Sequence, residues 1–253
     1  MVLITINNCS SGHSLFLPKK KQMKKSILLF AAIMIGSIVY SQNKSTVFHK
    51  IRAEIDPSNS SLSVIDTISI DTDMGRVFQI NSKFKVESKT KGVKLELISD
   101  ETKAEDIGMD RENDTDEVIL SKYRIIGNAS EVVVSYSGSL DSDLEDSKEN
   151  YQRGFAQSPG IINEKGVYLA GSTWWVPVFE NSLMTYKLTS VLPKDWRNVT
   201  TGYRTVDKVE IGKHVDTWVC DSPQEEIFLI AAAFNEYSYD MNSGVKAMAF
   251  LRT

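Results

Sequence analysis

GVYLAGSTWWVPVFENSLMTYKLTSVLPKDW, Gly166 to Trp196, holds three of the chain's four tryptophans and the clearest strand in the sequence. Met184, Tyr186 and Leu188 alternate with Thr185, Lys187 and Thr189, the two-residue period of a strand with one buried face. This strand closes at Leu192-Pro193, and Trp196 follows in a turn. Upstream, Gly166 turns the chain. Val167 to Leu169 and Trp174 to Val178 read as short strands, and Pro177 confines the second to an edge or an end.

The adjacent indoles of Trp174 and Trp175 can bury more apolar area than any other pair of side chains, so a nearby surface must cover them. Together with Tyr168, Phe179 and Tyr186 they can also form a carbohydrate or peptide platform. Packing is the preferred reading, because aromatic side chains dominate cores and domain interfaces as well as binding sites. A mixed arrangement puts one indole in the core and turns its neighbour, on the opposite side of a strand, toward a second domain. Tyr168, Trp174, Trp175, Tyr186 and Trp196 are therefore the candidates for a core or an interdomain surface.

On the N-terminal side, Val47 to Ile55 and Ser61 to Ile70 flank Asp56-Pro57-Ser58-Asn59, all turn formers, and read as a hairpin. In its second strand Leu62, Val64, Ile68 and Ile70 share a face. Asp66 falls on that apolar face and is read as a bulge or a strand-end position rather than a functional carboxylate. Further strands are expected at Arg76 to Ile80, Val93 to Ile98, Val118 to Ile126 and Glu131 to Tyr136. Ser99 to Glu117 is dense in acids but lacks the spacing of an EF-hand calcium loop, so a solvated loop is expected. Gly138 to Gly160, with DSDLEDSKEN at Asp141 to Asn150, reads as a short helix or a surface insertion.

On the C-terminal side, Val199 to Arg204, Lys208 to Ile211 and Val215 to Cys220 form a meander of short strands. Ile227 to Phe234 is apolar on both faces and reads as a central strand. Tyr237 to Asp240 and Lys246 to Leu251 finish the chain. The expected fold is mainly β, largely antiparallel, with many short strands, polar turns and one domain over residues 42–253.

Residues 1–41 are set apart from this pattern. Five lysines between Lys19 and Lys25 precede the apolar run Ile27 to Val39, then Val39-Tyr40-Ser41 and Gln42. That order is a secretory signal, with cleavage expected near Ser41 and the true start at Met23. The apolar run is shorter than the roughly 20 residues of a membrane span, so an uncleaved anchor is the lesser alternative. An exported, periplasmic or cell-surface location is expected, with no transmembrane span in the mature chain. Without this region 24 basic residues face 33 acidic ones, a formal charge of −9, which disfavours a nucleic-acid partner. Cys220 is then the single cysteine, which excludes an internal disulfide.

Signatures of catalysis are missing from the sequence. No two of His13, His49 and His214 lie within four residues, so His-Glu-x-x-His is absent. His49, inside an alternating strand, reads as structural. Gly171-Ser172-Thr173 does not continue into a Gly-x-Ser-x-Gly elbow. Cys220 reads as a buried thiol, and no glycine-rich phosphate loop is present. Glu225-Glu226 and similar acidic pairs read as surface residues.

The order of landmarks adds a further expectation. Ile55-Asp56-Pro57, then Gly166 to Leu169, Trp174-Trp175-Val176-Pro177, Thr185 to Trp196, the strand holding Trp218, and Ser222 to Ser238 form a series. This series resembles the N-terminal β domain of the aminopeptidase N-like zinc metallopeptidases, peptidase family M1, especially exported bacterial members, over about Val47 to Leu251. The resemblance implies a saddle-like, mostly antiparallel β domain that packs on a thermolysin-like catalytic domain, in cis or separately encoded, and helps close a peptide site. Zinc, its ligands and the general base are implied only in that other domain, so none is expected in this chain. The family's amine-binding Thr-Gln-x-Glu/Gln stretch has no counterpart after Gly166, and no catalytic, metal or substrate residue carries over. Two functions stand side by side: a non-catalytic β domain of an exported zinc aminopeptidase, truncated or separated from its catalytic part, or an independent exported module binding a peptide, glycan or protein partner.

Overall fold

Val47, His49, Ile51, Ala53 and Ile55 point to one side of β1 (Ser45–Asp56) and are buried, while Thr46, Phe48, Lys50, Arg52 and Glu54 face outward. The alternation continues through β2 (Ser61–Ser69), and a 3-10 turn at Pro57–Asn59 joins the two strands. Asp56 caps the turn: its Oδ1 accepts from the Ser58 backbone N–H at 3.1 Å and its Oδ2 accepts from the Asn59 amide at 2.7 Å. The hairpin expected from the sequence is therefore formed.

In a computed structural model, residues 45–70, 75–103, 118–140, 160–241 and 246–252 of the chain are described. The expected signal region, most of the acidic stretch Ser99 to Glu117, and the segment around Asp141 to Asn150 lie outside them. The remaining strands are β3 (Val77–Asn81), β4 (Lys85–Ser88), β5 (Lys94–Lys103), β6 (Ile119–Ile126), β7 (Glu131–Ser139), β8 (Ile161–Asn163), β9 (Gly166–Leu169), β10 (Val178–Phe179) and β11 (Ser182–Pro193). They continue with β12 (Arg197–Val199), β13 (Tyr203–Glu210), β14 (Lys213–Gln224), β15 (Leu229–Ala232), β16 (Asn235–Asp240) and β17 (Lys246–Leu251). Strands make up 70% of the described residues, which makes the fold mainly β.

A seven-stranded sheet runs in the order β13-β14-β11-β1-β2-β7-β4. Its neighbours are antiparallel except for β1 and β11, which run parallel with Val47 opposite Met184, His49 opposite Tyr186 and Ile51 opposite Leu188. Two four-stranded sheets, β10-β3-β6-β5 and β12-β15-β9-β8, and the β16-β17 hairpin complete the structure. One continuous apolar core joins the buried face of the large sheet to Phe78, Ile80, Leu169 and Leu229 of the smaller sheets and to Trp175 and Ile227 from segments between strands.

Three local readings are corrected. Trp174 to Val178 is not a strand: a 3-10 turn at Gly171–Thr173 ends with Trp174 in the left-handed region at φ 50°, and pairing begins only at Val178. Val199 to Arg204 and Lys208 to Ile211 are not separate strands, because the chain breaks at Thr200 to Gly202 and β13 then runs unbroken to Glu210. Gly202, at φ +106°, lies so close to the Val219 carbonyl oxygen that any Cβ would collide with it, and this supports the break. Ile227 to Phe234 does supply an interior strand, paired on both sides by β12 and β9, but only over Leu229–Ala232.

Asp66 is neither a bulge nor a strand end. It sits in an unbroken ladder, opposite Ile51 and Val134, and is fully buried. Its Oδ2 lies 2.7 Å from Nδ1 of His49, which is also fully buried. One strand's sequence shows only an acid on an apolar face; the partner that makes it tolerable comes from the strand beside it. The Tyr136 hydroxyl lies on the same face, and burial first, then the Asp66 charge, push it well above its ordinary value. Asp66→Ala should leave His49 unpaired in the core and cost on the order of 3 kcal/mol in urea unfolding. A loss below about 1 kcal/mol would show that the pair is energetically idle.

Candidate functional site

The five aromatic candidates do not converge. Trp175 is fully buried, and its Nε1–H donates to the Ile227 carbonyl at 2.7 Å. Trp174 is half-buried and packs on Val118 and Leu120, a small cluster beside the main core. Their corner is fastened from two directions. The Asn81 backbone N–H donates to the Trp174 carbonyl at 2.9 Å, and the Asn81 side-chain amide donates to the Thr173 carbonyl at 2.9 Å. From the other side, Glu226 accepts from the Gly171 N–H at 2.6 Å.

Tyr186 is fully buried on β11; its hydroxyl donates to the Thr201 carbonyl at 2.9 Å and meets Thr200 Oγ1 at 2.9 Å. Burial raises its pKa above the ordinary value, partly offset by these bonds. Tyr168 alternates outward on β9 and is 42% exposed. Trp196 is half-buried and lines an open groove of about 200 Å³ with Asp56, Pro57, Ser58, Glu164 and Pro193. That volume is below the range of ordinary small-molecule sites. Cys220 is buried and free, with its thiol 3.4 Å from the Ser222 carbonyl.

A polar cluster elsewhere was not found by sequence reasoning. β13 and β14 form a hairpin through Ile211 and Gly212, and its register puts Asp207 opposite Asp216 and Arg204 opposite Trp218. His214 and Asp216, two residues apart on a strand, share the core-facing side. Both are fully buried. His214 Nε2 is 2.8 Å from Asp207 Oδ1, and His214 Nδ1 is 3.5 Å from Asp216 Oδ2. Arg204 reaches across with a bidentate pair to Glu236 at 2.7 and 2.6 Å, a contact to Asp207 Oδ2 at 3.1 Å and a longer one to Asp216 Oδ1 at 3.9 Å. Its guanidinium also lies 5.7 Å from the Trp218 ring centre. Asn198 of β12 is buried near the same end of the sheet and its side-chain carbonyl accepts from Ser190 Oγ at 2.9 Å.

The charges within the cluster are unequal. Burial pushes the Asp216 carboxyl up to about 6, against the pull of His214 and Arg204. Burial opposes ionisation of Asp207 as well, but the His214 hydrogen bond and Arg204 outweigh it and hold that carboxyl below its usual value. The same balance acts on Arg204, where the Glu236 pair overcomes desolvation and raises the guanidinium further. The signal that could have found the cluster is His-x-Asp on one strand face beside a Gly212 turn that folds Asp207 back opposite it. A search for histidines close in sequence passes over it, because strand pairing sets the proximity.

No protein-family model matches the chain, and no curated protein matches it in sequence. Solved structures do show a likeness. A mutant M1 zinc metallopeptidase from Deinococcus radiodurans bound to a Tyr-Ser-Ala substrate matches with a TM-score of 0.47 and 12% identity, over 81% of this chain and 46% of that one. The mutant described without a bound substrate matches with a TM-score of 0.45 and 12% identity, over 77% and 43%. A third structure of this metallopeptidase gives 0.44 and 12%, over 77% and 43%. The chain thus spans less than half the length of these metallopeptidases.

Two outcomes follow. Trp175→Ala should destabilise the domain by about 3–5 kcal/mol and Trp174→Ala by roughly 1–2 kcal/mol, read from thermal and urea melts. Equal costs would mean that both indoles are equally buried. For Asp216, a folded-state pKa above the unfolded value makes stability greatest below about pH 4 and lost as pH rises through about 6. In chelator-treated buffer, Asp216→Asn should therefore raise stability at pH 7.5 by on the order of 2 kcal/mol and change it little at pH 4.

Proposed function

We propose that this chain is the non-catalytic β domain of an exported zinc-aminopeptidase-type protein, which packs on a catalytic domain and helps close its peptide site. One observation carries the choice over a ligand platform: Trp175 is fully buried with its N–H bound to the Ile227 carbonyl. The Trp-Trp-Val-Pro element and the Glu-Glu-Ile-Phe-Leu-Ile segment, distant in sequence, clamp each other through this bond and through Glu226 and Gly171. Their side chains serve the scaffold, and the order of these landmarks is what resembles the peptidase domain.

The residues here do not fit a catalytic zinc of that family. His-Glu-x-x-His is absent from the sequence, and the metal-capable group among the described residues has one histidine and two aspartates, one of them hydrogen-bonded to that histidine. No catalytic step is assigned to this chain. Its contribution is mechanical: a rigid sheet whose packed corner holds a surface against the partner domain.

The test pairs the purified chain with a separately expressed M1-type zinc catalytic domain from the same organism. The chain alone should release no product from an aminoacyl p-nitroanilide with or without zinc. Mixed with the catalytic domain, it should co-elute in gel filtration and raise kcat/KM for a peptide. Chelator-sensitive hydrolysis by the chain alone, or failure to co-elute, would overturn the proposal.

A further inference from the structure

We propose that His214 Nδ1 and the Asp216 carboxylate bind a divalent cation of the zinc class, with Asp207 orienting the imidazole. The site lies at the outer end of the seven-stranded sheet and is independent of any catalytic zinc in a partner domain.

The first support is unsatisfied chemistry. His214 Nδ1 is buried and has no hydrogen bond of ordinary geometry among the described residues, and the buried Asp216 carboxylate has no side-chain donor at ordinary distance, only the backbone N–H of Asn198 favouring its charged form. Buried polar atoms are normally satisfied, so His214 Nδ1 and Asp216 Oδ2, facing each other at 3.5 Å, point to something that binds between them. The two Asp216 oxygens also differ. Oδ1 faces Arg204 at 3.9 Å, whereas Oδ2 faces His214 Nδ1 at 3.5 Å.

The second support is geometric. Two ligand atoms held about 2.1 Å from a tetrahedral zinc ion lie roughly 3.4 Å apart, close to the 3.5 Å between Nδ1 and Oδ2. Both ligands project from one face of β14, so a cation can join them without a change of backbone. Asp207 supplies what metal-bound histidines commonly have: a carboxylate that accepts from Nε2–H at 2.8 Å and fixes the ring with Nδ1 turned toward Asp216. Asp207 is 43% exposed and gives the cluster its way to solvent.

The third support is charge. Arg204 is answered by its bidentate pair with Glu236, which leaves the carboxylates of Asp207 and Asp216 on either side of His214. Arg197 adds a favourable field at Asp207. A divalent ion offsets the remaining two negative charges. An imidazole and a carboxylate together suit zinc and its neighbours better than calcium or magnesium, which prefer all-oxygen shells.

The full chain, stripped with chelator and dialysed, is titrated with zinc chloride at pH 7.5 by calorimetry, and its metal content is measured after gel filtration. Wild type should retain one equivalent more than Asp216→Asn, a comparison that cancels any uptake by Cys9 and His13. Asp207→Asn should weaken that equivalent about 10–100-fold, as loss of an orienting carboxylate does. Equal zinc uptake by wild type and Asp216→Asn would overturn the proposal. Cobalt(II) guards against a folding defect in one variant: wild type should show intense visible bands of a low-coordinate ion that His214→Gln lacks. A wild-type spectrum matching the aqueous ion would also overturn the site.

Discussion

The parallel ladder between β1 and β11 is the contact on which the rest of the sheet depends. It is the one parallel pairing among the described residues, and it joins the β1-β2-β7 side of the sheet to β11-β14-β13. Each side is made of antiparallel neighbours. Without β1 against β11 the sheet would divide into two narrower pieces, each with an exposed edge. The ladder also lines up Val47, His49, Ile51 and Ala53 with Met184, Tyr186, Leu188 and Ser190, so one register sets the composition of the central core. A slip of one residue would move the whole set to solvent. The two strands are far apart in the chain, so the contact carries a loop-closure cost that the apolar burial on this face must exceed.

Polar groups accompany that apolar burial at two places. His49 and Asp66 pair in the middle of the sheet, and Arg204, Asp207, His214, Asp216 and Glu236 gather toward its β13 edge. The two places differ in physical character. The first is enclosed, with both partners fully buried, and it specifies how β1 and β2 meet. The second reaches solvent through Asp207 and has more acid than base, a composition suited to taking up a cation.

The aromatic stretch shows how sequence neighbours acquire different roles. Trp174 adopts a left-handed conformation at the end of a 3-10 turn, and this swings it onto Val118 and Leu120 while Trp175 enters the main core. Strand alternation had suggested opposite directions for the two rings. The directions do differ, although a turn and not a strand separates them. Proline and glycine at Pro177 and Gly171 bracket the corner, and Asn81 and Glu226 bind its backbone from outside.

Much of the architecture was legible because a strand with one wet face writes its period into the sequence. The β1-β2 hairpin, β11 and the mainly antiparallel β class were read from alternation and turn residues, and β15, in longer bounds than it has, from a run apolar on both faces. The strand β4, whose residues Lys85 to Ser88 are mostly polar and lie at the sheet edge, left no such period and was missed. Asp66 looked misplaced because its partner His49 is on the neighbouring strand, and Asp216 escaped notice because Asp207 approaches it across a turn. Sequence by itself determined which apolar side chains of the alternating strands face the core, since that follows from hydrophobicity and local spacing. Only the tertiary structure decided which strands stand side by side, and with that which buried charged groups meet, because pairing between distant strands sets those distances.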